Sequence, residues 1–107
     1  MTDIEVSKQF YKELFGMQVL RDFGENVIFS EGLVLQELRS WEQLINQQVT
    51  IGNASEIYFE EYDFDKFLNK IADQNIEKIG DIRVNSWGKR VVQVLDPDGH
   101  IIEVAES

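Results

Sequence analysis

The chain has 107 residues, of which 43% are hydrophobic, and this is enough for one domain with a modest core. Its 20 acidic and 10 basic residues give a formal net charge of −10, which disfavours nucleic acid and anionic lipid surfaces as partners. The absence of cysteine excludes disulfides and thiolate ligands, and no apolar run approaches the roughly 20 residues of a membrane span. We therefore expect a soluble, cytoplasmic protein.

The first half of the chain predicts one helix followed by three strands. Asp3 can cap the helix, apolar residues recur at helical spacing, and Gly16 is placed to end it. The predicted helix covers 3–15, and the predicted strands cover 17–22, 26–30 and 33–39. The segment 41–54 contains a possible helical turn, and we interpret it as a connector.

The second half predicts a strand, a helix and three further strands. These elements are expected at 56–62, 64–74, 76–84, 91–95 and 101–105. Apart from its first strand, this order repeats that of the first half, which indicates two modules at about 1–45 and 55–107 within one domain spanning 1–107. The repeat pairs Glu103 with Glu37 or its neighbour Gln36. The first module lacks the opening strand, either naturally or because the functional protein starts further upstream.

Two sequence motifs carry a resemblance to a known superfamily. The stretch DIEVSKQFYKELFGMQVL and the later stretch DPDGHIIEV resemble the glyoxalase, bleomycin-resistance and extradiol-dioxygenase proteins, also called vicinal oxygen chelate proteins. The resemblance covers nearly the whole chain, although Phe15 stands where leucine is usual. It implies an α+β fold of two βαβββ modules, whose mixed sheets curl around a shared cleft that is frequently completed across a homodimer.

The resemblance also implies a metal site. In metal-using relatives the ligands come from the first and last strands of each module, and here those strands offer Glu37, Glu56 and Glu103. A fourth ligand would lie on the missing strand. Three carboxylates would favour a divalent ion such as Mg²⁺ or Mn²⁺. Strand alternation places Glu103 on one face with Ile101 and Ala105, which we expect to be the cleft face. The alternative is that these glutamates are ordinary solvated acids.

Four further residues are candidates for contacting a ligand. Trp87 lies on a predicted loop that could cover a pocket, and Arg90 could meet an anionic ligand. Tyr58 shares a strand face with the candidate ligand Glu56, and Trp41 follows the first module. His100, the only histidine, falls on the opposite face from Glu103 and is interpreted as a surface or packing residue.

Two function classes follow from the resemblance. As an enzyme, the protein would be a lyase, isomerase or dioxygenase in which a divalent ion chelates two vicinal oxygens. As a binding protein, it would sequester a small, antibiotic-type molecule without chemistry, and it would need no metal. A scaffold without a ligand is a third reading, since fold alone does not define function. The unpaired edge left by the missing strand favours a homodimer.

Overall fold

The computed structural model describes residues 1–50, 52 and 55–107. The chain divides into two compact units, Met1–Ile51 and Gly52–Ser107. The helices are α1 (Ile4–Phe15), α2 (Leu38–Ile45) and α3 (Phe64–Asp73). The strands are β1 (Val19–Asp22), β2 (Asn26–Phe29), β3 (Val34–Gln36), β4 (Glu56–Glu61), β5 (Arg83–Val84), β6 (Arg90–Leu95) and β7 (Ile101–Glu106). No helix among the described residues is long and apolar enough to cross a membrane.

Unit 1 begins with the predicted helix, whose ends are confirmed. The Asp3 carboxylate accepts hydrogen bonds from the backbone N–H groups of Glu5 and Val6, at 3.1 and 3.3 Å. At the other end, Gly16 adopts the left-handed conformation with φ 68°, where a residue without a side chain is favoured. The helix buries Tyr11 and Leu14 completely. This apolar face provides much of the core of unit 1.

The three strands of unit 1 form an antiparallel sheet in the order β1-β2-β3. The predicted third strand, 33–39, is wrong at its end because α2 begins at Leu38. Glu37 caps that helix, and Asn46, with φ 54°, ends it. The predicted connector 41–54 is therefore helical as far as Ile45. Its residues 51, 53 and 54 lie outside the described part of the chain.

Unit 2 has the complete βαβββ order and a four-stranded mixed sheet. Strand β4 runs parallel to β7, and the order across the sheet is β4-β7-β6-β5. The predicted strand 76–84 is wrong over most of its length. Ile79 N–H still bonds to the Gln93 carbonyl at 2.8 Å, but Gly80, with φ 68°, then turns the chain, and β5 contains only Arg83 and Val84. The predicted α+β class with two modules is confirmed.

The hydrogen bonds of the two units define how the repeat aligns. In unit 2, Glu61 pairs with Glu106 at the end of the parallel ladder, and Ser107 N–H donates to the Glu61 carbonyl at 3.1 Å. In unit 1, the Met1 ammonium donates to the Gln36 carbonyl at 2.6 Å, while Leu38 N–H donates to the Met1 carbonyl at 2.8 Å. Each pattern is one rung of a parallel ladder.

This alignment makes Met1 the counterpart of Glu61, and Glu37 the counterpart of Glu106. Counting back along β3 and β7, the counterpart of Glu103 is Val34. The match of Glu103 with Glu37 or Gln36 that the sequence pattern favours is therefore wrong, because it displaces the two strands by two or three residues.

Candidate functional site

The two faces of the sheet in unit 2 differ sharply in burial. Along β7, Ile102 and Val104 are 0% exposed, and they face the core with Val92 and Val94 of β6. Glu103 projects from the opposite face and is half-buried. Alternation therefore separates an apolar, covered face from a face that carries polar side chains.

Strand pairing brings other polar residues beside Glu103. Tyr58 of β4 and Gln93 of β6 are its direct neighbours in the two flanking strands. Glu56 and Glu60 share this side with Tyr58, because alternate residues of a strand point the same way. We call the surface formed by these residues and Arg83 the open face. Its members are Glu56, Tyr58, Glu60, Arg83, Gln93 and Glu103.

Hydrogen bonds organise the open face. The Arg83 guanidinium donates from Nη2 to Gln93 Oε1 at 2.8 Å, and Gln93 Nε2 donates to Glu56 Oε2 at 3.4 Å. The Tyr58 hydroxyl donates to Glu60 Oε2 at 3.0 Å. This bond, together with desolvation and the negative charges of Glu60 and Glu103, raises the pKa of Tyr58 above its usual value.

A cavity of about 260 Å³ opens at one end of this face. Its lining residues are Arg83, Val84, Asn85, Val91 and Glu103. Val91 is only 5% exposed and supplies an apolar wall, whereas Arg83 and Glu103 bring opposite charges. The cavity therefore combines a hydrophobic surface with one cation and one anion.

Sequence reasoning finds Glu103 and Tyr58 but misses Gln93 and Arg83. Gln93 is the one polar residue inside the strand sequence VVQVL, in the same way that Glu103 interrupts IIEVA. Antiparallel pairing of the two segments would have placed the two polar residues opposite each other. Arg83 gives no such signal, because the turn at Gly80 that sets its position is not evident from periodicity.

The whole chain, residues 1–107, matches the family model for the glyoxalase-like domain. The protein belongs to the glyoxalase-like domain family. It matches none of the curated proteins with which it was compared.

Solved structures share the fold of this glyoxalase-like protein. A protein of unknown function from Agrobacterium tumefaciens is 38% identical, with a TM-score of 0.90, and the match covers 100% of this chain and 87% of that one. Lactoylglutathione lyase from Agrobacterium tumefaciens is 22% identical, with a TM-score of 0.76 and coverages of 99% and 87%. The fosfomycin resistance protein FosX from Listeria monocytogenes is 18% identical, with a TM-score of 0.76 and coverages of 100% and 86%. The last two similarities concern the fold alone.

The predicted metal ligands occupy different environments in this glyoxalase-like chain. Glu56 and Glu103 lie on the open face of unit 2. Glu37 is the N-cap of α2 in unit 1, where its carboxylate accepts from the N–H groups of Arg39 and Ser40 at 2.8 and 3.0 Å. These backbone bonds lower the pKa of Glu37.

These residues do not fit a complete metal centre. Within the ranges that the structure describes, no three histidine, aspartate or glutamate side chains are grouped so that they could hold an ion. Glu37 would have to give up its helix cap to become a ligand, and Glu56 and Glu103 alone supply too few carboxylates. The set of Glu37, Glu56 and Glu103 stays a prediction.

Arg90, predicted to meet a ligand, is engaged within unit 2. Its guanidinium forms ion pairs with Asp65 at 2.9 Å and Glu106 at 3.1 Å, and it lies 5.0 Å from the centre of the Phe64 ring. Hydrogen bonds to the two carboxylates raise the pKa of Arg90. These contacts connect β6 to β7 and α3. A ligand contact by Arg90 stays a prediction.

The two tryptophan candidates have different settings. Trp41 lies on α2 in unit 1 and is 41% exposed. Trp87 lies in the turn between β5 and β6 and is 84% exposed, and its backbone N–H donates to Asn85 Oδ1 at 3.0 Å. Asn85 also lines the cavity, so Trp87 lies two residues from the cavity wall. A ligand contact by either tryptophan stays a prediction.

Proposed function

We propose that this glyoxalase-like protein binds a small polar molecule on the open face of unit 2, with Glu103 as the main contact. The observation that carries the proposal is the cavity of about 260 Å³, which has Glu103 and Arg83 in its lining. Charged groups are costly to hold beside apolar walls unless a partner stabilises them. A ligand in this cavity would supply such a partner for Glu103.

The side chains of the open face are suited to binding a small molecule without catalysing a reaction of it. Arg83, Gln93 and Glu56 form a hydrogen-bonded chain that can orient a ligand. Binding of this kind needs shape and charge complementarity rather than a full set of metal ligands. Sequestration of a small molecule, as in the resistance proteins of the superfamily, is therefore the reading that these residues support best.

A metal-dependent lyase, isomerase or dioxygenase is the second candidate. It is favoured by the shared face of Glu56 and Glu103, since carboxylate oxygens suit Mg²⁺ and Mn²⁺. Elemental analysis of protein purified without chelator separates the two candidates. Stoichiometric metal that is lost in Glu103→Gln would support the enzyme, and a metal-free protein that still binds its ligand would support sequestration.

A ligand screen tests the proposed site. We would measure saturation-transfer NMR signals of a library of small polar compounds with the unchanged protein, Glu103→Gln and Glu77→Gln. Glu77 is an exposed glutamate of the same unit that does not line the cavity, so it serves as the matched control. We expect binding compounds that lose their signal in Glu103→Gln and keep it in Glu77→Gln. A library without any binding compound, or equal signals in all three proteins, would overturn the proposal.

We further propose a cytoplasmic homodimer. The outer edge of β3 has no strand partner among the described residues except for the single rung at Met1, and free strand edges favour association. Light scattering at low micromolar concentration should give twice the mass of the 12.5 kDa chain. A monomer mass would reject the homodimer without affecting the ligand site.

A further inference from the structure

We infer that the ligand of the open face is a small zwitterion, with a carboxylate that binds Arg83 and an ammonium group that binds Glu103. The inference rests on the proposed function and specifies the class of ligand. It starts from the two opposite charges that line one small cavity. A short ω-amino acid is the simplest molecule with this arrangement of charges.

The two charged side chains do not neutralise each other directly. No ion pair within 4 Å joins Arg83 to Glu103 in the part of the chain that the structure describes. A molecule with one charge of each sign could bridge them and satisfy both. A molecule with a single charge would satisfy only one of them and would be repelled by the other.

Gln93 holds the Arg83 guanidinium in a position to bind a carboxylate. It accepts a hydrogen bond from Arg83 Nη2 at 2.8 Å and lies directly opposite Glu103 in the sheet. The bond holds the guanidinium on the open face, over β6. Since a guanidinium has five N–H donors, the others can bind a carboxylate, and arginine binds carboxylates through two parallel hydrogen bonds where the geometry allows. Gln93 is thus a positioning residue.

Strand spacing and the apolar wall set the length of the ligand. Arg83 and Glu103 belong to β5 and β7, which are separated by β6, so their backbones lie on the order of 10 Å apart. Their side chains cover part of this gap, and the remainder suits a few methylene groups. Val84 and Val91 line the cavity where those methylenes would lie. The cavity is also smaller than the roughly 300–1,000 Å³ of typical drug-sized pockets.

Titration calorimetry with three matched probes tests the inference. The probes are γ-aminobutyrate, which has both charges, butyrate, which has only the anion, and n-butylammonium, which has only the cation. We expect γ-aminobutyrate to bind at least tenfold more tightly than either of the others. Arg83→Gln and Glu103→Gln should each weaken its binding at least tenfold. Arg21→Gln, an exposed arginine of β1 in unit 1, should leave binding unchanged.

The outcomes separate this inference from the proposed function. If the screened compounds bind at Glu103 but γ-aminobutyrate binds no better than n-butylammonium, the zwitterion is rejected and the site stands. If no compound binds at all, both proposals are rejected. Arg83→Lys keeps the charge without the planar fork, so partial recovery of binding is expected relative to Arg83→Gln. Equal binding in Arg83→Gln and the unchanged protein would overturn the role of Arg83.

Discussion

Two neighbouring substitutions on β7 should differ strongly in how much they change the stability of the protein. Val104→Ala removes two carbon atoms from a side chain that is 0% exposed, whereas Glu103→Gln alters a side chain on the open face. Each buried methylene contributes about 0.8 kcal/mol, and the remaining cavity adds to the loss. We therefore expect Val104→Ala to lower the free energy of unfolding by about 2–3 kcal/mol.

The melting temperature provides the assay. For a domain of this size, 1 kcal/mol corresponds to roughly 4–8 °C, so Val104→Ala should melt about 10 °C or more below the unchanged protein. Glu103→Gln should change the free energy of unfolding by less than about 0.5 kcal/mol. Circular dichroism during heating, with urea titration as a second measure, records both. A large loss in Glu103→Gln together with a small one in Val104→Ala would refute the assignment of the two faces.

Three further predictions concern pH and backbone conformation. Desolvation raises the pKa of Glu61 above its ordinary 4.5, so the charge of Glu61 opposes folding at neutral pH. Glu61→Gln should be more stable than the unchanged protein at pH 7, and urea titrations should show that this gain in stability vanishes below pH 4.5. Hydrogen bonds from the Arg90 backbone N–H and side chain lower the pKa of Glu106, so the Glu106 carboxylate stabilises the fold above pH 4.5 and this stabilisation is lost as the pH falls further. Glu106→Gln should therefore be less stable at pH 7 and approach the stability of the unchanged protein in acid. An equal loss of stability at every pH would contradict this. Gly99 has φ 88°, so thermal melts should show that Gly99→Ala costs about 1–2 kcal/mol, whereas Gly52→Ala, with no positive φ, costs little.

Much of the fold could be predicted because its signals are local. The cap at Asp3, the glycine at position 16 and the apolar spacing of α1 lie within 14 residues and act together. The alternation of IIEVA likewise predicts which face Glu103 occupies. Such patterns can be recognised without knowing which distant parts of the chain are in contact.

The sequence-based predictions are wrong where two local patterns compete or where distant contacts decide the structure. Residues 37–39 continue the pattern of a strand, but the Glu37 carboxylate can also cap a helix, and the helix α2 forms there. The repeat in the sequence aligns β3 with β7 in the wrong register, because LQEL and IIEV each contain one glutamate beside apolar residues. The hydrogen bonds of Met1 show the actual register. Arg83 lies in the candidate site because β5 pairs with β6, and its guanidinium bonds to Gln93, ten positions further along the chain.

The most direct test of the central claim is the solvent accessibility of β7, one residue at a time. Because the chain has no cysteine, Ile102→Cys, Glu103→Cys and Val104→Cys each carry a single thiol. The rate of reaction with a thiol reagent such as dithionitrobenzoate then reports the accessibility of that position. We predict that Glu103→Cys reacts at least a hundredfold faster than Ile102→Cys and Val104→Cys, whose positions are 0% exposed. Equal rates at the three positions, or faster reaction at 102 and 104, would contradict an open face that carries Glu103.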